Sequence, residues 1–214
     1  MPAPICFPDP RWANPDGLVV VGGDLSVENL LAAYQRGIFP WTVKPVSWWS
    51  PNPRGIFELE GFHVSKSLAK VLRQKVFSIT VNRAFREVMA GCAEPGPGRQ
   101  ETWVSAEFIK AYTQLHKLGH AHSVECWREG RLVGGIYGVA LGGLFAGESM
   151  FHRESNASKA ALAFMAGRLR ERNYSLFDIQ MATPITRQLG AINISRDEYL
   201  SRLAEALKQP CEFE

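Results

Sequence analysis

From about Phe57 onward, apolar and polar positions follow regular periods; before it they do not. Leu68, Val71 and Leu72 share one face of a helix opened by Ser65 and running to Lys75. Phe77 to Val81 alternates and predicts a strand, and Ala84 to Cys92 a second helix. Glu94 to Glu101 is a loop rich in Gly and Pro. Ser105 caps a third helix that runs to Leu118 and stops at Gly119. Three successive strands follow: His122 to Arg128, Leu132 to Ala140 and Leu144 to Met150. Glu129-Gly130 and Gly142-Gly143 supply their turns. Asn156 to Arg172 predicts a long helix, Leu176 to Ile179 a short buried strand and Thr183 to Leu189 a short helix. Ser195-Arg196-Asp197-Glu198 is a capping box for the last helix. Within the irregular stretch a single helix is legible, Val27 to Arg36, with Ser26 as N-cap and Gly37 as its stop. Leu30, Leu31 and Tyr34 form its apolar stripe.

The order helix, meander, long helix, strand, helix, strand predicts an α/β (α+β) fold. It resembles the acyltransferase layout typified by GCN5-related N-acetyltransferases. The expected organisation is a small N-terminal domain, 1–55, and an acyltransferase-like domain, 56–214. The small domain holds nine of the 13 prolines and four of the six tryptophans. Prolines at that density block long helices and sheet ladders, so it should be turns and short strands organised by aromatic packing.

Composition narrows the function classes. At 214 residues the chain needs neither disulfides nor metal to fold. Its net charge of +3 excludes a polycation but leaves room for a local basic face. Cys6, Cys92, Cys126 and Cys211 are widely spaced, which suggests neither a zinc ribbon nor a disulfide framework. No signal peptide and no membrane-length apolar run is visible, so a reduced, cytoplasmic protein is expected. There is no phosphate-cradling P-loop and no dinucleotide fingerprint. His116, His120 and His122 are close in sequence but poorly spaced for a metal, and stacking or core hydrogen bonding is the simpler reading. Ser149 lacks the second glycine of a nucleophile elbow. A coenzyme A enzyme of this layout needs a glycine-containing loop at the head of the long helix, where backbone N–H groups hold the pyrophosphate. Residues Phe151 to Lys159 contain no glycine, so the fold can be kept while the acyl donor differs.

Several blocks together resemble one family. They are Gly22-Gly23-Asp24-Leu25, Ala33 to Trp41 (AYQRGIFPW), Trp48 to Arg54 (WWSPNPR), Thr102-Trp103-Val104, Leu118 to Glu125 (LGHAHSVE), Gly147 to Phe151 (GESMF), Asn156 to Lys159 (NASK) and Asp178-Ile179-Gln180. In this order, from about Phe7 to Leu203, they resemble the bacterial leucyl/phenylalanyl-tRNA–protein transferases. The resemblance implies transfer of Leu or Phe, and less readily Met, from aminoacyl-tRNA to the N-terminal Lys or Arg of a protein, which marks that protein as a bacterial N-degron. The donor is then an ester on the tRNA 3′ adenosine, and no cofactor or metal is needed.

The resemblance carries roles residue by residue. It places the catalytic pair at Asp178 and Gln180, which alternation puts on one face of their strand; the carboxylate would orient or deprotonate the acceptor amine, directly or through Gln180, or else Asp178 only caps local backbone and Gln180 only packs. Assistance by a ribose hydroxyl or the donor's own amine is a further route. It places the donor side-chain pocket at Ile136, Phe145, Met150, Leu162 and Phe177, although the same spacing also suits plain core. Ile136 stands where Met is expected, which shifts preference among donors. Trp41 and Trp103 resemble the aromatics around the 3′ adenosine, leaving Trp48, Trp49 and the other tryptophans to hold the small domain together. Glu148 would hold the amine of donor or acceptor, or else form a surface salt bridge. Asn156 would bond the donor or simply cap the long helix. Met181 to Pro184 departs from the family, where a polar Asn is usual near Thr183. Lys66, Lys70, Arg73 and Lys75 would meet tRNA phosphates, or form an ordinary solvated face. A monomer is expected, since no heptad or long exposed apolar helix argues for a dimer. Two rival functions stand beside this one: a coenzyme A-dependent N-acyltransferase and a non-catalytic tRNA-binding module.

Overall fold

The proline-rich N-terminal region builds a sheet of its own in the computed structural model, which describes residues 5–95 and 102–214. Strands β1 (Leu18–Val21), β2 (Phe39–Val43) and β3 (Val46–Trp49) pair antiparallel in the order β1-β3-β2. Helix α1 (Val27–Tyr34) is shorter than expected. Gly37 turns the chain after it with φ +73°. Ser26 makes no side-chain cap bond. Asp24 braces the entry to the helix, accepting from the Ser26 N–H at 3.0 Å and from the Asn29 side-chain Nδ2 at 2.8 Å. Trp48 is fully buried, donates from Nε1 to the Gly22 carbonyl at 2.8 Å, and meets Phe7 edge-on. Trp12, by contrast, is 79% exposed and holds nothing together, and Trp127 lies outside this sheet.

The second sheet has seven strands. β4 (Arg54–Phe57) comes first in the chain, so the expected boundary after residue 55 falls inside it. Helix α2 (Lys66–Arg73), strand β5 (Ser78–Val81), and helices α3 (Phe85–Ala93) and α4 (Ala106–Lys117) follow. The meander is β6 (Ala121–Arg128), β7 (Arg131–Leu141) and β8 (Leu144–His152). Then come α5 (Ala157–Glu171), β9 (Leu176–Gln180), α6 (Pro184–Gln188), β10 (Ala191–Ile194) and α7 (Arg196–Ala206). Sheet order is β10-β4-β9-β8-β7-β6-β5. This is the order of elements expected from the sequence, with each expected element present within a few residues. Of the loop expected over 94–101, residues 96–101 lie outside the described residues. At the last helix, Ser195 accepts from the Glu198 N–H at 3.2 Å, whereas the Glu198 carboxylate pairs with Arg202 at 2.6 Å. The reciprocal capping box occurs at α6 instead, between Thr183 and Thr186.

Apolar alternation explains the layering. One sheet face carries Val124, Ile136, Phe145 and Phe177 under α5 and α2, with Leu68, Val71 and Leu72 of α2 turned inward. The other face carries Tyr137, Val139 and Ala146 under α3 and α4. That second core is continuous with Leu30, Ala33 and Tyr34 of α1 and with Trp48, so the N-terminal region and the large sheet share one interior. Beside it, Ile56, Leu144 and Leu176 pack on Tyr199 and Leu203 of α7.

Two features open the sheet locally. All neighbouring strands run antiparallel except β8 and β9, which are parallel and paired only through Leu144↔Leu176, Phe145↔Phe177 and Ala146↔Asp178. Beyond Ala146 and Asp178 the two strands have no partners in each other. On the other side of β8, Tyr137 faces Ser149 while Gly138 faces Gly147, so Glu148 is the extra residue of a β-bulge.

A Cβ at Gly37 would lie 2.8 Å from both Leu200 Cδ2 and Tyr199 Cε1, whereas one at Gly119 would meet nothing. Gly37→Ala should therefore cost about 1–3 kcal/mol for crowding in addition to the left-handed backbone penalty. Gly119→Ala, at φ +80°, should show the backbone penalty alone. Urea titrations of the two variants should rank them in that order.

Candidate active site

The unpaired ends of β8 and β9 gather the polar residues of the interior. At the last paired position, Asp178 is fully buried. Its Oδ1 accepts from Arg54 Nε at 2.9 Å and from the Gln180 backbone N–H at 2.9 Å. Its Oδ2 accepts from Arg54 Nη2 at 2.6 Å and from the Tyr199 hydroxyl at 2.9 Å. The Arg54 guanidinium also donates to the Gly37 carbonyl at 3.1 Å. Its flat faces meet the Phe39 ring at 5.0 Å and the Tyr199 ring at 4.3 Å. Burial is the largest single influence on Arg54 and works against its charge, but Asp178, Tyr199 and Glu148 together outweigh it and raise the pKa. Tyr199 is pushed well above the ordinary phenol range, chiefly by burial. Asp178 is thus closed to direct contact with a substrate, and what it reaches toward the opening is Gln180.

Gln180 adopts φ +56°, which ends the strand and turns the backbone. Its neighbour across β4 is Gly55, where a Cβ would lie 2.5 Å from the Ala182 nitrogen; only glycine lets that turn close. Gln180 Nε2 donates to Glu148 Oε1 at 3.0 Å. Glu148 Oε2 accepts from the Tyr112 hydroxyl at 3.4 Å, and Tyr112 and Tyr34 share a 2.5 Å hydrogen bond. Among the described residues Glu148 forms no salt bridge; it is half-buried at the bulge. Burial pushes its carboxyl up to about 8, with Asp178 adding to the rise and the tyrosine hydroxyls and Arg54 opposing it.

The remaining expected residues fall into separate groups. Ile136, Phe145, Leu162 and Phe177 are buried in one apolar cluster beneath α5, and half-buried Met150 stands at its edge. Met150 also lines an open cleft of about 920 Å³ with Asn156, Ser158, Lys159, Thr183 and Ile185. Asn156 sits at the N-cap position of α5 with φ +70° and makes no side-chain cap bond. Trp41 and Trp103 are half-exposed and pack on the same core, each braced edge-on by another ring, Trp49 at 5.2 Å and Phe108 at 5.0 Å. Lys66, Lys70, Arg73 and Lys75 are all exposed on or just after α2. None of them enters an ion pair among the described residues. His116 stacks on Phe85 and His122 on Phe213, and His122 is pushed down to about 4, mainly by burial. The described residues contain no group of three or more metal-ligating side chains.

Sequence reasoning passed over Arg54, Tyr199, Tyr34 and Tyr112 as site residues. Arg54 closes the block Trp48 to Arg54, and a lone Arg after two prolines is a visible candidate for a buried ion. Tyr34 reads as a member of an apolar stripe, which it is; its hydroxyl adds the second role. Nothing in the spacing of Tyr112 or Tyr199 brings either to Glu148 or Asp178.

Comparison with known proteins agrees over most of the chain. Residues 56–204 match the family described as Leucyl/phenylalanyl-tRNA protein transferase, and residues 23–52 match its N-terminal domain. A leucyl/phenylalanyl-tRNA–protein transferase of Desulfatibacillum aliphaticivorans is 51% identical over 209 residues, covering 96% of this chain and 90% of that one. One from Shewanella baltica is 47% identical over 208 residues, covering 95% and 88%. Among solved structures, a GCN5-related N-acetyltransferase-like protein from Streptococcus suis aligns with TM-score 0.38 at 13% identity, over 74% of this chain and 60% of that one.

Removing Arg54 would leave a buried carboxylate unpaired. Arg54→Met should destabilise the fold by about 3–5 kcal/mol, and the double change Arg54→Met with Asp178→Leu should recover much of that loss. Chemical denaturation checks both; a single variant within about 1 kcal/mol of wild type would contradict the sealed pair.

Proposed function

The chain belongs to the leucyl/phenylalanyl-tRNA–protein transferase family, and from that premise we propose how its residues carry out the reaction. It is an aminoacyltransferase that moves Leu or Phe from aminoacyl-tRNA to protein acceptors. In our reading Met is a poorer donor, the acceptors begin with Lys or Arg, and the enzyme works as a monomer in the cytoplasm. No helix among the described residues is long and apolar enough to cross a membrane. The N-terminal unit, 1–55, braces the catalytic unit, 56–214; the two family matches fall on either side of that division.

Aminolysis of an activated ester needs placement of two reactants more than covalent chemistry. The observation that carries the proposal is the opening between β8 and β9, with Glu148 and Gln180 hydrogen-bonded across it. Asp178, locked to Arg54 and Tyr199, acts as a positioning group: it holds the Gln180 backbone so that the amide side chain faces Glu148. Gln180 and Glu148 then hold the amine that attacks. The donor side chain enters beside Met150 toward Ile136, Phe145, Leu162 and Phe177. Burying a Leu or Phe side chain there is worth about 1.5–3 kcal/mol, while β-branched Ile or Val fits poorly. Trp41 and Trp103 flank the 3′ adenosine; stacking a base on such a ring contributes about 1–3 kcal/mol. Asn156, free of cap duty, hydrogen-bonds the donor. The α2 cations meet acceptor-stem phosphates without reading sequence. The glycine-free head of α5 is what weighs against coenzyme A as the donor.

Two measurements test this reading. The protein, mixed with Leu-, Phe-, Met- or Ile-charged tRNA and a peptide starting with Arg, should transfer Leu and Phe well, Met less and Ile not at all. Absence of Leu and Phe transfer sinks the proposal, and transfer from an acyl-coenzyme A would favour the rival. Replacing Lys66, Lys70, Arg73 and Lys75 by Gln should flatten the log–log salt dependence of tRNA binding by roughly one unit for each phosphate no longer neutralised. An unchanged slope would make the α2 face a merely solvated one.

A further inference from the structure

We propose that Glu148 is the proton acceptor for the α-ammonium of the acceptor protein, and that Tyr112 and Tyr34 are positioning residues that keep its carboxylate in place. This rests on the functional reading above and deepens it. Three observations carry it. First, Glu148 is the bulge residue of β8, so the backbone aims it out of the ladder at the point where β8 and β9 separate. Second, the carboxylate is held from two sides, Gln180 Nε2 donating to Oε1 and the Tyr112 hydroxyl to Oε2, with the Tyr34 hydroxyl as a further donor to the same group. A carboxylate oxygen accepts more than one hydrogen bond, so both remain able to receive an N–H from a substrate. Third, the direct alternative is closed: Asp178 is fully buried and its oxygens are taken by Arg54, Tyr199 and the Gln180 N–H.

The groups facing Glu148 from the surrounding elements are Tyr34 of α1, Tyr112 of α4, Arg54 of β4, and Asp178 and Gln180 of β9. Burial holds both phenols well above their ordinary range, so they stay protonated donors throughout the working range. Burial likewise places the Glu148 carboxyl at about 8, level with the ~8 of an ordinary α-amino group. A base raised into the neutral range in this way lies near the operating pH, the condition that favours general-base catalysis.

In the transfer itself, the α-ammonium gives one proton to the Glu148 carboxylate. The freed amine attacks the ester carbonyl, and the new C–N bond forms as the bond from the carbonyl carbon to the ribose 3′ oxygen breaks. A second proton passes from the nitrogen to that oxygen, and Glu148 returns its proton to solvent.

The test is the pH profile of kcat for Leu transfer from charged tRNA to an Arg-starting peptide, with melting curves to confirm folding. Wild-type kcat should rise with pH and level off near the value of the Glu148 carboxyl. Glu148→Gln should lower kcat by roughly 10²–10⁴-fold. Tyr112→Phe removes a hydrogen bond that favours the carboxylate, so its profile should level off at higher pH than wild type. Tyr34→Phe should move it the same way. A rising limb that belonged to the acceptor amine would stay in place in both tyrosine variants, and that result overturns the inference. So does a folded Glu148→Gln variant within about threefold of wild type. A wild type that transfers neither Leu nor Phe overturns the functional reading and this inference together; an active wild type with an unaffected Glu148→Gln overturns this inference alone.

Discussion

The buried ion pair between Arg54 and Asp178 is the contact on which the site depends. Two unlike charges at the centre of a protein are a net cost unless every remaining donor and acceptor is satisfied. Here the unsatisfied capacity is taken up by the Tyr199 hydroxyl, the Gly37 carbonyl and the Gln180 N–H. The pair and these partners together draw on four separate regions of the chain: the turn after α1, strand β4, the end of β9 and helix α7. One pair therefore fixes the N-terminal region, the large sheet and the last helix relative to one another. The aromatic faces of Phe39 and Tyr199 against the guanidinium exclude the water that would otherwise weaken it.

The second constraint is geometric. A parallel pair in an otherwise antiparallel sheet need not continue to its end, and β8 and β9 separate after three paired positions. Separation exposes backbone and side chains that an intact ladder would occupy. The bulge at Glu148 then turns a carboxylate into that space, and the left-handed turn at Gln180 brings an amide to it from the other side. The polar centre is thus made by two interruptions of regular structure, each supported by a glycine or a paired charge behind it.

How much of this is legible in the sequence follows from range. The meander, the long helix and the helix stops at Gly37 and Gly119 are local patterns, and alternation or helical period reports them directly. The apolar cluster of Ile136, Phe145, Leu162 and Phe177 is legible as apolar, though spacing alone cannot separate core from pocket. Arg54 and Asp178 are 124 positions apart, and Tyr34 and Tyr112 are 78 apart; no periodicity spans such distances. The bulge is equally silent, because Gly147-Glu148-Ser149 reads as unbroken strand until the partner's register is known. The entry to α1 is braced by an Asx turn, in which Asp24 accepts from the Ser26 N–H and reaches the Asn29 side chain, an arrangement that the Ser26 N-cap pattern does not announce.

The clamp at Asp178 has a mechanical consequence. Strand β9 is held rigidly where its carboxylate is anchored, and only two residues extend past the anchor to Gln180. So short an arm on so stiff a mount has little room to swing. The distance between the amide of Gln180 and the carboxylate of Glu148 is therefore governed by the interior of the protein, not by the loops at its surface. Sequence drift in those loops can retune which tRNA or acceptor is admitted while leaving the spacing of the reacting groups untouched.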